Sequence, residues 1–283
     1  MMYSSIIPSS MKEILQKSAE NYEPRGRLDP VGFARHVSFQ SYPPPADLAP
    51  FIDHFWTIRW EQTGSTYHSE EVMHRPYVDV FVSAEQSGIQ GTFRGKRTYV
   101  AAGSGSIVGI RFRPGAFHAF WGGALTDLQD KIIEVQQVFP QADSQYIEHL
   151  LTLDDQAAIH DLLRLIRAKH PQPDVNIELI NEIIAAIETD ASLQTVIGVG
   201  KAFGRSERWL QQLFQDYVGI GLKWLLQRHR LLLAAQQIRA SDQPNWAVIA
   251  YDLGYSSQQH FITDFKQVLG KTPRQYKKEL TVR

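Results

Sequence analysis

The stretch Leu253–Gly270, "LGYSSQQHFITDFKQVLG", carries the reading of the fold. Phe261, Phe265, Val268 and Leu269 recur at helical spacing, so one face of this segment is built for burial. The other face begins Ser257, Gln258, Gln259, His260, a row of short uncharged hydrogen-bonding groups directly after a glycine turn. A second copy of the pattern lies 51 residues upstream. Ser206, Leu210, Phe214 and Gly219 repeat the spacing of Ser257, Phe261, Phe265 and Gly270. Gly204 matches Gly254, and Gly200 and Ala250 stand four residues before them; the one-residue offset falls in the turns, "GRS" against "GYSS".

This spacing has a physical reason. Two helices joined by a tight turn and crossing steeply need a small residue where the second packs over the first. The turn needs positive φ, which glycine adopts without steric cost, and serine caps the second helix by accepting from its free N–H groups. That is the helix-turn-helix plan, and here it occurs twice. Between the copies, "LKWLLQRHRLLLAAQQIRA" (Leu222–Ala240) holds no Gly or Pro. As one helix it would span about 28 Å, close to the roughly 34 Å between successive major grooves on one face of a duplex.

Amides and hydroxyls at the start of a recognition helix suit base-edge reading, since Gln bonds adenine bidentately and Ser, Thr and His make single contacts. The candidate base readers are Gln258, Gln259, His260 and Thr263 in the second copy, and Arg208, Gln211 and Gln212 in the first. Lys201, Arg205, Lys266 and Lys271 lie near helix or turn ends and suit phosphate contacts, which position without reading. For any one of these residues, plain solvation of a surface competes on equal terms. The doubled motif is what tips the balance.

Charge supports the division. The net formal charge is −1, yet residues 192–283 hold 13 Lys+Arg against 6 Asp+Glu, leaving 16 against 24 for residues 1–191. A basic module on an acidic partner domain points to a polyanion ligand for one end only. Hydrophobic content of 43% and charged content of 21% exclude a disordered chain. No apolar run is long enough to span a bilayer, and the first residues lack a secretory pattern. The chain has no cysteine, which removes disulfides, thiolate metal sites and cysteine nucleophiles and fits a reducing, cytoplasmic setting.

The segment from about Asn176 to Leu280 resembles the DNA-binding domain of the arabinose-operon regulator (AraC/XylS) family of transcription factors. Gly254, Phe261, Phe265, Lys266, Gly270, Pro273 and Tyr276 fall where the family signature expects them. The resemblance implies an all-α domain of two helix-turn-helix motifs joined by a long helix, acting on double-stranded DNA. RNA polymerase, a small-molecule effector and a second copy of the chain are further partners open to such a regulator. Departures concentrate in the first copy: "VIGVGKAF" carries two glycines, each weakening a helix by about 1 kcal/mol. Gln212 stands where a basic residue is common, and the first copy has no proline to match Pro273 of the second.

Residues 36–113 carry strand signals in "HVSFQSY", "HFWTIRW", "YVDVFVS", "GTFRG" and "SIVGIRFR", which suggest a β-sandwich or barrel. In relatives such a domain is often a cupin-like barrel that senses a small molecule or mediates dimerisation. From Pro114, "LTDLQDKIIEVQQVF" and "DDQAAIHDLLRLIRAK" read as amphipathic helices. The expected class is therefore α+β: an acidic regulatory domain over 1–170, a linker at 171–175 broken by prolines, and the tandem helix-turn-helix domain over 176–283. If "HSEEVMH" is a strand, His68, Glu70 and His74 share a face and could hold a divalent metal. Their spacing does not match the cupin metal motif, and solvated surface is the plainer account. Trp56, Trp60, Phe81, Phe112, Phe117 and Trp121 either line an apolar pocket or fill the core. No cofactor or catalytic residue is expected. Against the regulator stand an architectural DNA-binding protein, which lean phosphate contacts would serve, and a metal-dependent enzyme delivered to DNA.

Overall fold

The computed structural model describes residues 30–62, 67–73, 76–94, 96–190 and 192–282. In chain order the elements are α1 (Pro30–His36), β1 (Ser38–Tyr42), β2 (Ile52–Glu61), β3 (Tyr67–Met73), β4 (Asp79–Ser83), β5 (Gly88–Gln90), β6 (Lys96–Ala102), β7 (Ser104–Phe112), α2 (His118–Trp121) and β8 (Ile132–Ile133). Then follow α3 (Ser144–Thr152), α4 (Asp155–Arg167), α5 (Val175–Thr189), α6 (Val196–Phe203), α7 (Glu207–Val218), α8 (Leu222–Ala240), α9 (Trp246–Asp252), α10 (Gln258–Leu269) and α11 (Pro273–Val282). The fold is α+β, with an antiparallel β-rich half followed by an all-helical one.

Six strands form one antiparallel sheet in the order β1-β2-β7-β4-β5-β8, and β3 pairs with β6 as a separate ribbon. Among the described residues β1 and β8 do not pair with each other, so the main sheet is open. Of the two layouts expected, sandwich and barrel, the sandwich-like one is found. Alternation divides the sheet faces. Phe55, Val80, Val82, Ile110 and Phe112 point to a core closed by α2, α3 and α4, and each is essentially inaccessible. Burying a side chain of this kind contributes roughly 1.5–3 kcal/mol. Asp155, at the start of α4, ties that layer to the sheet by accepting from Thr57 Oγ1 at 2.9 Å and from the Arg59 guanidinium.

One expected helix is absent. "LTDLQDKIIEVQQVF" instead forms a 3-10 turn at Leu125–Leu128, strand β8 and a second 3-10 turn at Val135–Gln137. Asp130 takes φ 60°, which breaks any helix there, and Ile132 and Ile133 extend the sheet by pairing with β5. Leu125, Leu128, Val135 and Val138 are buried all the same. A 3-10 turn also brings i and i+3 to one side, so the apolar spacing did not separate the two structures. "GTFRG" likewise lies mostly outside the strands: residues 91–93 run as buried non-strand chain between β5 and β6.

The join between the halves is packed. Residues 168–174 form the loop between α4 and α5, and Asp174 caps α5 by accepting from the Asn176 N–H at 2.8 Å. Ile177 of α5 belongs to the N-terminal core, while Ile180, Ile183, Ile184 and Ile187 of the same helix enter the core beneath the first motif. No helix among the described residues is long and apolar enough to cross a membrane.

Candidate nucleic-acid interface

Each motif is assembled by the residues that define the repeat. In the first, α6 ends on Gly204 at φ 63° and α7 begins on Ser206, whose Oγ accepts from the Trp209 N–H at 3.2 Å. In the second, Gly254 takes φ 72° after α9, and Ser257 caps α10 by accepting from the His260 N–H at 3.1 Å. The turn is closed the same way in both: Arg205 N–H donates to the Gly200 carbonyl and Tyr255 N–H to the Ala250 carbonyl, each at 2.9 Å. A Cβ at Gly200 would stand 2.7 Å from the Arg205 carbonyl, which explains the small residue there. Gly219 and Gly270 end the two recognition helices in the left-handed region, at φ 82° and 73°.

The repeat extends further than its opening landmarks. Thr195 caps α6 and Asn245 caps α9, 50 residues apart, through bonds from Gly198, Ala247 and Val248. Such caps contribute about 1 kcal/mol each and steady α6 despite its two glycines. The extra residue in the second turn is Ser256. Tyr255, the counterpart of Arg205, enters the second core, where burial pushes its phenol up to about 12 and the Arg230 guanidinium lies 5.0 Å above its ring.

The motifs have separate cores. Leu210, Phe214, Leu222, Leu225 and Leu226 close the first, whereas Leu231, Ala234, Ile238, Phe261 and Phe265 close the second. Helix α8 therefore buries one side at its start and a different side at its end, which is why its sequence shows no single apolar stripe.

The expected base readers occupy the outward faces. Gln258 and Gln259 are exposed in the first turn of α10, with no side-chain partner among the described residues. His260 is engaged, with Nδ1 3.2 Å from Ser256 Oγ, and Thr263 donates back to the Gln259 carbonyl at 2.9 Å. Arg208 is exposed. Gln212 donates to Asp216 at 2.9 Å, and Gln211 is half-buried with its amide turned toward Gly221. Among the phosphate candidates, Lys201 and Lys266 are exposed and Arg205 lies 4.9 Å over the Trp209 ring. Lys271 pairs with Glu279. Two exposed aromatics escaped the sequence reading. Trp209 matches His260 in the repeat, and Tyr251, 82% exposed, matches Lys201. Carrying the repeat through every position would have found both.

Comparison with known proteins finds similar chains. The family model "Helix-turn-helix domain" matches residues 199–279, and a domain of unknown function matches residues 40–134. The regulatory protein SoxS of Escherichia coli (strain K12) is 35% identical over 104 residues, 36% of this chain and 96% of that protein. The chain belongs to the AraC family. A Streptomyces lividans protein assigned as an AraC-like transcription regulator is 32% identical over 149 residues, half of this chain and 48% of that one. Among solved structures, the C-terminal domain of AraT, a response regulator from Geobacillus stearothermophilus, is 26% identical with a TM-score of 0.33, covering 35% of this chain and 84% of that one. This AraC-family chain is a transcription regulator with a helix-turn-helix DNA-binding domain.

In the N-terminal half of this AraC-family regulator, the six aromatics divide. Trp56, Trp60 and Phe81 line a cavity between the main sheet and the ribbon. Phe112 and Phe117 are core, and Trp121 packs against it. Of the metal candidates, His68 and Glu70 are placed only as positions on β3, opposite Ala101 and Tyr99, and His74 lies outside the described residues. No cluster of metal-ligating side chains occurs among the described residues.

Proposed function

We propose that the chain reads double-stranded DNA in a sequence-specific manner with both motifs at once, and that its N-terminal half sets when it does so. The observation that carries this is the pairing of two capped recognition helices on one uninterrupted 19-residue helix, with polar side chains on both outward faces. Gln258 and Gln259 are assigned to base edges, with Arg208, Gln211, Gln212, His260 and Thr263 as further contacts. Lys201, Arg205 and Lys266 are assigned to phosphates. Lys271 can join them only by exchanging Glu279 for a phosphate oxygen. Residues 1–170 act as the regulatory unit and 176–283 as the reading unit, joined through 171–175. The regulatory input is a small molecule or pairing with a second copy, and RNA polymerase is the partner through which transcription responds. Nothing in this scheme requires catalysis.

The test is a fluorescence-anisotropy titration of the full-length protein. It compares the DNA upstream of its own gene, further genomic fragments and a shuffled duplex at several salt concentrations. Preference for particular natural fragments supports the reading. Equal affinity for every duplex, with steep salt dependence, favours an architectural role instead.

A further inference from the structure

The main sheet turns one face to the helices and the other to the β3–β6 ribbon. On the ribbon side Trp56, Ile58 and Trp60 of β2 stand beside Ile107 and Arg111 of β7. Between sheet and ribbon lies a cavity of about 560 Å³, within the range of small-molecule sites.

Its floor is flat for a reason visible in the register. Trp56 stands opposite Gly109 and Trp60 opposite Gly105. A Cβ at either glycine would collide with the indole beside it, so the bare backbone of β7 lets both rings lie against the strand. Trp60 is fixed further, its Nε1–H donating to the Ala102 carbonyl of β6 at 3.0 Å. Two fixed indoles present flat π faces, which favour a planar ring over a flexible chain.

The opposite part of the lining is polar. Arg111 is committed to its cross-strand partner Asp79 by two bonds, of 2.8 and 2.6 Å. The Tyr99 hydroxyl and the Gln90 amide bond each other at 3.2 Å. Arg97 is different: its guanidinium lies 3.0 Å over the Phe93 ring, and it forms no ion pair with a carboxylate among the described side chains. Burial works against its charge. Glu85 reaches the cavity only from the exposed β4–β5 turn. The lining thus holds a half-buried carboxylate already spent on one guanidinium and, among the described side chains, a second guanidinium with none.

We propose that this cavity binds a small planar aromatic carboxylate, its ring lying on Trp56 and Trp60 and its carboxylate meeting Arg97. The inference deepens the reading of the N-terminal half as the regulatory unit and rests on it. A charge-assisted contact of this kind changes affinity by about tenfold or more.

The test is isothermal titration of the full-length protein, without DNA, with three probes: 2-naphthoate, its neutral counterpart 2-naphthylmethanol, and decanoate. Expected are 2-naphthoate binding at least tenfold tighter than either of the others, quenching of tryptophan fluorescence, loss of that preference in Arg97→Gln, and its retention in Arg97→Lys. Equal binding of the neutral probe, tighter binding of decanoate, or no binding of any probe to the wild-type protein would overturn the proposal. The probe series on wild-type protein decides the matter even if Arg97→Gln does not fold. Because no DNA is present, failure here is distinct from failure of the DNA-reading assignment.

Discussion

The imidazole of His118 stacks on the ring of Tyr217, with centroids 4.0 Å apart and planes 15° from parallel. One residue belongs to α2 in the N-terminal half and the other to the last turn of the first recognition helix. Tyr217 Oη also donates to Asp174 at 2.6 Å and accepts from Asn176 at 3.0 Å, so a single side chain joins both halves and the segment between them. Tyr217→Ala is expected to lose about 1–2 kcal/mol from the stack and hydrogen bonds. Limited proteolysis between residues 168 and 175 should be several-fold faster, with helical content unchanged by circular dichroism. An unchanged cleavage rate would show that the contact does not hold the join.

Gly219 ends the same helix, and there a side chain meets two obstacles. Its φ is 82°, and a Cβ would stand 2.6 Å from the Leu125 carbonyl and 2.8 Å from Thr92 Oγ1. Gly204 has φ 63° but open space around it. Gly204→Ala is therefore expected to cost about 1 kcal/mol of backbone strain, and Gly219→Ala clearly more, because the N-terminal half must also move away. Thermal unfolding of the two variants side by side checks the order.

For the reading unit, Gln258→Ala and Gln259→Ala should narrow the affinity gap between preferred and shuffled DNA by about 1–3 kcal/mol while leaving the salt slope alone. Lys266→Ala should weaken binding to both duplexes alike and reduce the slope by about one. Anisotropy over a salt series separates these outcomes. Equal losses on both duplexes for the glutamine variants would remove them from base reading.

Stability should also fall in mild acid. Burial holds His54 below its ordinary value of 6.5, only partly offset by Asp53, and burial does the same to His229. A folded-state value below the unfolded one means the unfolded chain takes up the proton first. This contribution is complete above about pH 6.5 and is lost as pH falls from there toward the folded values. Denaturant unfolding midpoints between pH 7.5 and 5 should decline, and less steeply in His54→Gln.

The helical half was legible because its landmarks are local. Gly204 and Gly254 are needed for a backbone angle, Ser206 and Ser257 for a cap, and Phe261 and Phe265 for one face of one helix. The sheet was legible only in part. Strands β2, β4 and β7 carry alternating aromatic and β-branched residues, whereas β5 is three residues long and β6, "KRTYVAA", starts with two cations. Such segments become strands through their neighbours rather than their own composition. The cavity was hidden for the same reason. Trp56 and Trp60 are visible in the sequence, but that each stands across from a glycine is a matter of register between segments some 45 to 53 residues apart.

If both motifs read one duplex, as proposed, helix α8 has a consequence for how the second contact forms. Its first half is rooted in one core and its second half in another, with no glycine or proline between them. Once one motif has engaged a groove, the other is presented at a fixed distance by a rod that has little freedom left to lose. The second encounter is then intramolecular, governed by an effective concentration that the helix sets rather than by the amount of protein in the cell. Two individually modest readers can thereby hold a site that neither could hold alone, provided that the spacing of the site matches the length of the rod.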